Sequence, residues 1–153
     1  MRANTSTHSA PNSLFSLPCA CQNLRRATRV VTRIYDQELR KAGLEITQFG
    51  LLTALALMGE ANQKRLSAGF VMDSTTLTRT LALLQKHRWI RVRRGEDKRE
   101  RLFSLTAAGR QQMAKAQPHW ERAESQLRQQ LGDPAWKSIA HSIALLTKVA
   151  TAL

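Results

Sequence analysis

Few side chains in this chain of 153 residues are of a type and spacing suited to covalent chemistry. Cys19 and Cys21 stand one residue apart where a first helix should begin, with Arg25 and Arg26 just beyond. Redox sensing needs a thiolate, which a helix N-terminus and nearby cations favour. A Cys-x-Cys pair also suits a soft metal. Two thiolates alone make a poor metal site, however, and His8 belongs to a polar N-terminal arm. The plainer reading is small apolar filler at a subunit interface. His87, His119 and His141 are scattered. There is no nucleophile–base–acid set, no phosphate-cradling glycine loop and no metal-ligand cluster. A thiol oxidoreductase built on the two cysteines lacks the C-x-x-C spacing and a βαβ setting. The expectation is a protein that is not an enzyme and uses no cofactor.

The chemistry that remains is charge. Lys and Arg number 24 against 11 Asp and Glu, for a net +13 and a pI near 11.2. Such an excess favours a polyanionic partner, because cations displace the counterions of phosphates. It is most concentrated in IRVRRGEDKRERLFSLT, Ile90 to Thr106, which holds six basic and three acidic residues around Gly95. β-Formers flank the charge on both sides, so the stretch reads as a hairpin with a basic tip. A solvated hairpin could use such charges merely to protect a strand edge. The two-to-one imbalance favours a binding role.

The elements that must position these charges follow from periodicity. A helix is expected over Ala20–Ala42, with Leu24, Ala27, Val30, Val31 and Ile34 on one face and Gly43 as its stop. Thr47 is placed to cap a second helix that is apolar nearly all round and ends at Gly59. Asn62 caps a short helix holding Leu66. A turn through Phe70 to Asp73 leads into a third helix, Ser74 to His87, buried through Leu77, Leu81 and Leu84. Strands follow at Ile90–Arg93 and Arg101–Leu105. Thr106 caps a long helix to Leu131, with a kink at Pro118. Gly132 stops it, Asp133 caps the next helix and Pro134 takes its first position. That last helix carries Trp136, Ile139, Ile143, Leu146 and Val149 at spacings of three and four. Two helices joined by a short turn and followed by a charged hairpin make a winged helix-turn-helix. The fold class is mainly α with a small β-hairpin wing.

In that arrangement the helix from Ser74 is the recognition helix. Its start presents Ser74, Thr75, Thr76, Thr78 and Arg79: short hydroxyls that permit close approach to a major groove, and one guanidinium for guanine or phosphate. Lys86 lies on the same exposed side. The wing offers Arg93, Arg94, Lys98 and Arg99 to the neighbouring backbone and minor groove, whose negative potential attracts Arg. Glu96 and Asp97 are placed to hold Arg93, Arg94 or Arg99 in one pose.

The segments LEITQFGLL (Leu44–Leu52), MDSTTLTRTL (Met72–Leu81) and DKRERLFSLTAAG (Asp97–Gly109) together resemble the MarR family of bacterial transcription regulators. The resemblance spans about residues 19 to 150. It implies a homodimer built by the terminal helices (18–45 and 107–153), a winged DNA-binding lobe (46–106) and a loose arm (1–17). It also implies a pseudo-palindromic double-stranded DNA operator, with Thr75, Thr76 and Arg79 in the major groove, Arg99 in the minor groove and Asp97 orienting the wing. Repression relieved by a small aromatic acid or phenol is a further implication. Asn23, Phe49, His119 and Trp120 are the candidate ligand contacts. The chain departs from the family pattern in three places. Ser67 follows Leu66 where alanine is usual. Val71 stands where a glycine precedes the recognition helix, and Arg88 and Trp89 where a glycine ends it. A non-glycine residue in a left-handed cap is strained, so either those turns are built differently or the strain is carried. The expected setting is the cytoplasm and nucleoid, with no membrane partner. The alternatives are a redox- or metal-sensing regulator working through Cys19 and Cys21, and a basic module for RNA or a membrane surface.

Overall fold

A computed structural model describes residues 19–97 and 99–152. The N-terminal arm, with His8, and Lys98 lie outside the described residues. The chain divides into two units, one through Arg33 and one from Ile34 onward. Helix α1 (Ala20–Leu39) lies in the first unit as far as Arg33 and in the second from Ile34. In the first unit Leu24, Val30 and Val31 are 40%, 51% and 39% exposed, so the apolar stripe read from their spacing is not buried within the chain. Only Tyr35 and Leu39, near the helix's end, are buried.

The second unit carries the core. A 3-10 turn (Arg40–Ala42) closes on Gly43, whose φ of 77° lets the Leu44 amide reach back to the Leu39 carbonyl. Helix α2 (Ile46–Met58) follows and buries Phe49, Leu51, Leu52 and Leu55, but its apolar composition is not matched by burial all round, since Leu57 is 83% exposed. Its cap is Glu45 and not Thr47. The Glu45 amide donates to Gln48 Oε1 (3.1 Å), and the Ile46 amide donates to Asp36 Oδ1 (2.8 Å). Helices α3 (Gln63–Phe70) and α4 (Ser74–Lys86) form the two-helix motif, capped by Asn62 and Asp73.

The hairpin strands are β2 (Ile90–Arg94) and β3 (Arg101–Leu105), but they do not stand alone. A strand β1 (Glu60–Asn62) pairs antiparallel with β3, giving the order β1-β3-β2 and setting Ala61 opposite Phe103. Three residues, two of them polar, are too few to show alternation, so β1 is not visible in the sequence. Ala61 and Phe103 both go into the core, which anchors the wing's base.

Helix α5 (Ala107–Leu131) is capped by Thr106 and continues through Pro118. Gly132 ends it and also caps α6 (Asp133–Ala150). Asp133 is therefore inside the first turn of α6, where its carboxylate pairs with Arg128 Nε at 2.6 Å. No residue of α6 is buried. Ile139, Ile143, Leu145, Leu146 and Val149 are between 41% and 54% exposed. Among the described residues, no helix is long and apolar enough to cross a membrane.

Candidate nucleic-acid interface

The interface is assembled around α4. Leu77, Leu81 and Leu84 bury one side of this helix, so Thr75, Arg79, Ala82 and Lys86 face outward, as their spacing dictates. Asp73 Oδ1 accepts from the Thr76 amide at 2.8 Å, and this bond holds its carboxyl below the usual carboxylate range. Ser74, Thr75, Thr76, Thr78 and Arg79 are all exposed. Thr78 is already engaged. Its hydroxyl donates to the Ser74 carbonyl (2.6 Å) and accepts from Gln63 Nε2 (2.7 Å), so it braces α3 against α4. On the opposite flank, Thr76, Arg79, Thr80 and Lys86 line a cleft of about 570 Å³ with Glu45, Thr47 and Gln48.

The wing's cations divide into tied and outward groups. Arg93 donates to both carboxylate oxygens of Glu60 on β1, through Nε at 2.8 Å and its terminal nitrogen at 2.5 Å. That hydrogen-bonded pair holds the Glu60 carboxyl below its ordinary range and pushes the guanidinium up. The partner of Arg93 is thus a strand residue 33 positions upstream, not Glu96 or Asp97. Arg91 donates to Ser104 Oγ at 3.0 Å, and Arg101 lies over the Phe103 ring. Asp97 does shape the tip: its Oδ1 accepts from the Arg99 amide at 2.9 Å, closing the turn. Among the described residues, Arg79, Arg94 and Arg99 enter no ion pair.

Beyond the hairpin, Lys64, Arg65 and Arg88 are three exposed cations near this surface that were not assigned as contacts from sequence. Lys64 and Arg65 sit in the first turn of α3, and Lys64 lines a cleft with Arg99 and Arg101. The cap at Asn62 was their only signal, because it places the two at a helix start. Asn62 also donates to Glu100 Oε1 (2.5 Å), which fastens the wing stem to that helix start. The third is Arg88, just beyond α4.

Both missing glycines prove to be sites of left-handed backbone. Val71 has φ 48° and Arg88 φ 60°. At each, the next amide reaches back five residues: Met72 to the Ser67 carbonyl (3.1 Å) and Trp89 to the Leu84 carbonyl (3.0 Å). The same closure follows the 3-10 turn, but there the left-handed residue is Gly43. The turns are therefore built in the ordinary way, and the strain is carried. Ser67, the third departure, donates its hydroxyl to the Met72 carbonyl at 2.7 Å and so helps hold the first of them.

Three of the candidate ligand contacts, Phe49, His119 and Trp120, lie in the second unit, and each has a neighbour there. Phe49 is buried and stacks on Trp120 with ring centroids 6.1 Å apart. His119 Nδ1 lies 2.6 Å from an Arg122 nitrogen and 3.8 Å from Glu38. Asn23 is exposed on the first part of α1. Cys19 and Cys21 are free thiols and are exposed in the single chain.

Comparison with known proteins agrees with this geometry. Residues 42–100, which span the helix-turn-helix and most of the wing, match the model of the MarR family. An uncharacterised HTH-type transcriptional regulator of Bacillus subtilis, YwoH, is 31% identical over 83 residues, 54% of this chain and 61% of that protein. The structure of the M. tuberculosis transcriptional regulator MosR in complex with DNA superposes with a TM-score of 0.79. It is 36% identical and covers 88% of this chain and 97% of its own. Bordetella bronchiseptica BpsR, whose DNA binding is regulated by 6-hydroxynicotinic acid, shares the fold at a TM-score of 0.75. It is 22% identical, over 83% of this chain and 97% of its own. The chain belongs to the MarR family of winged helix-turn-helix, DNA-binding transcriptional regulators.

Proposed function

We propose that the protein is a homodimeric repressor that reads a pseudo-palindromic operator and releases it on binding a small aromatic acid or phenol. The observation that carries the DNA reading is the juxtaposition of two features. One is α4, whose exposed start holds Ser74, Thr75, Thr76 and Arg79. The other is a wing whose Arg94 and Arg99 have no acidic partner among the described residues. Thr75, Thr76 and Arg79 address base edges and phosphates in the major groove. Arg99, held at a tip closed by Asp97, addresses the minor groove. Lys86 and Arg94 contact backbone, as does Lys98 by its place in the sequence. Thr78 and Arg93 serve as braces. Dimerisation is supported by the exposed apolar residues of α1 and, separately, of α6, which a single chain leaves in water. The aromatic effector is what the family resemblance implies, and BpsR, which shares the fold, has its DNA binding regulated by 6-hydroxynicotinic acid.

The test is fluorescence anisotropy on a duplex from the gene's own upstream region, against a scrambled duplex, at about 150 mM salt, because at low salt a strongly basic protein binds any DNA. Selective binding to a site with half-site centres about 10 bp apart supports the reading. Equal binding to both duplexes supports the rival, a basic module for RNA or a membrane surface. Aromatic acids that release the selective complex identify the effector class.

A second reading rests on the exposure of both thiols. Peroxide would oxidise Cys19 and Cys21 to a disulfide, with release of two waters, and so change operator affinity. This version requires that Cys21→Ser abolish any peroxide response in the same assay.

A further inference from the structure

The turn between α3 and α4 holds an apolar residue that is mostly exposed. Val71 is β-branched, yet it sits at φ 48°, where its Cβ crowds the backbone. Everything around it enforces that conformation. Its own amide and the Met72 amide close onto the Ala68 and Ser67 carbonyls, and the Ser67 hydroxyl bonds the Met72 carbonyl. Phe70, on one side, packs its ring against the α2 backbone at Gly50, where an added Cβ would lie 3.2 Å from the ring. Phe70 and Met72 are both half-buried against the core. Val71, between them, is 70% exposed. On backbone grounds the position suits glycine, and the valine side chain, with most of its surface in water, adds little buried apolar area in return. What it offers is an apolar knob facing outward two residues before Asp73, the cap of α4.

We propose that Val71 is a specificity residue, whose isopropyl group packs against the 5-methyl group of a thymine at the lip of the major groove that α4 enters. A helix that enters a groove N-terminus first brings the turn before it to the groove edge. The one apolar feature of the bases exposed there is the thymine methyl. The inference rests on the DNA reading above and deepens it. Polar neighbours at the start of α4 read donors and acceptors, and Val71 reads the methyl.

The experiment uses the full-length protein and a duplex enriched from a random library, with each thymine in turn replaced by uracil to remove only its methyl. Wild type is expected to lose about fourfold in affinity at one thymine per half-site, the value of one buried methyl group. V71G is expected to bind the unsubstituted duplex about fivefold more weakly, and to be indifferent to uracil at that same position. Its Tm is expected to stay level or rise, since glycine takes the left-handed conformation without a Cβ clash. Wild-type affinity in V71G, equal uracil sensitivity of the two proteins at every position, or a fall in Tm that places the isopropyl group inside the fold would each overturn the assignment. Arg79→Ala on the same duplex separates the two levels. If it weakens binding and V71G does not, the DNA reading stands and the Val71 contact falls. If the library yields no enriched site, the DNA reading itself has failed and takes this inference with it.

Discussion

At the scale of single residues, the wing shows why charge alone does not identify a contact. Arg93 and Arg94 are adjacent and both exposed, but only Arg93 is tied to a carboxylate. The Arg93–Glu60 pair joins residues 33 positions apart on β1 and β2, the two strands that flank β3, so no local pattern marks it. Hydrogen bonding to Arg93 depresses the Glu60 carboxyl, and that fixes the sign of its pH dependence. A depressed folded value means the pair contributes above the ordinary carboxylate pKa of about 4.3, and its contribution is lost as pH falls through the lower, folded value. An NMR titration of the Glu60 carboxyl should therefore show a midpoint below that of a model glutamate. Glu60→Gln should speed amide exchange in β2. A normal Glu60 midpoint would mean the brace is absent in solution. Gly109 is a second position where one atom decides the outcome. A Cβ there would lie 2.1 Å from the Trp89 carbonyl oxygen, an atom already bonded by the Thr106 amide and hydroxyl. Gly109→Ala should cost about 2–3 kcal/mol in urea denaturation, the range of overpacked sites. A loss under about 0.5 kcal/mol, ordinary for a surface substitution, would show that the α5 start is free to shift.

At the scale of elements, α4 is bracketed by two left-handed residues, neither a glycine. Both positions were legible in sequence only as missing glycines, which shows where a turn must be and not how it is made. The helices themselves were legible because leucines recur at three and four, and because Asn62, Asp73 and Thr106 stand where first-turn amides need acceptors. The wing hairpin was legible from strand formers around Gly95. What escaped depends on distant partners. Strand β1 exists because β3 offers it an edge, and Asp36 replaces Thr47 as an acceptor at the α2 start because the preceding turn brings it there. The stacking of Phe49 on Trp120 likewise joins residues on α2 and α5 that no local pattern links. Arg88 gives a test at this scale. Its side chain is exposed and its backbone strained, so Arg88→Gly should keep or raise Tm. If the guanidinium meets a phosphate, the same change should lower the slope of log affinity against log salt by about one. An unchanged slope would confine Arg88 to the turn.

At the scale of the whole molecule, the question is what covers α6. This helix lies against α5 without burying any residue, while five large aliphatic side chains stay 41–54% exposed. Such a face is costly in water at about 25 cal/mol per Å² of apolar surface. It also repeats at helical spacing, so it is a stripe and not scattered surface leucines. A second copy of the chain supplies an equally apolar stripe, and two-fold pairing then matches a two-fold operator. If that is the assembly, fold and binding are linked by mass action: Tm should rise with protein concentration, because the dimer is what the native state is stabilised by. Ile143→Glu, about 51% exposed at the centre of the stripe, should give a monomer by sedimentation and a Tm independent of concentration. It should also bind a half-site as wild type does while losing affinity for the full operator, since the α4 surface is untouched and only the second lobe is lost. A dimer that survives Ile143→Glu would move the interface to other residues. A monomer that still binds the full operator with wild-type affinity would show that two lobes are not read together.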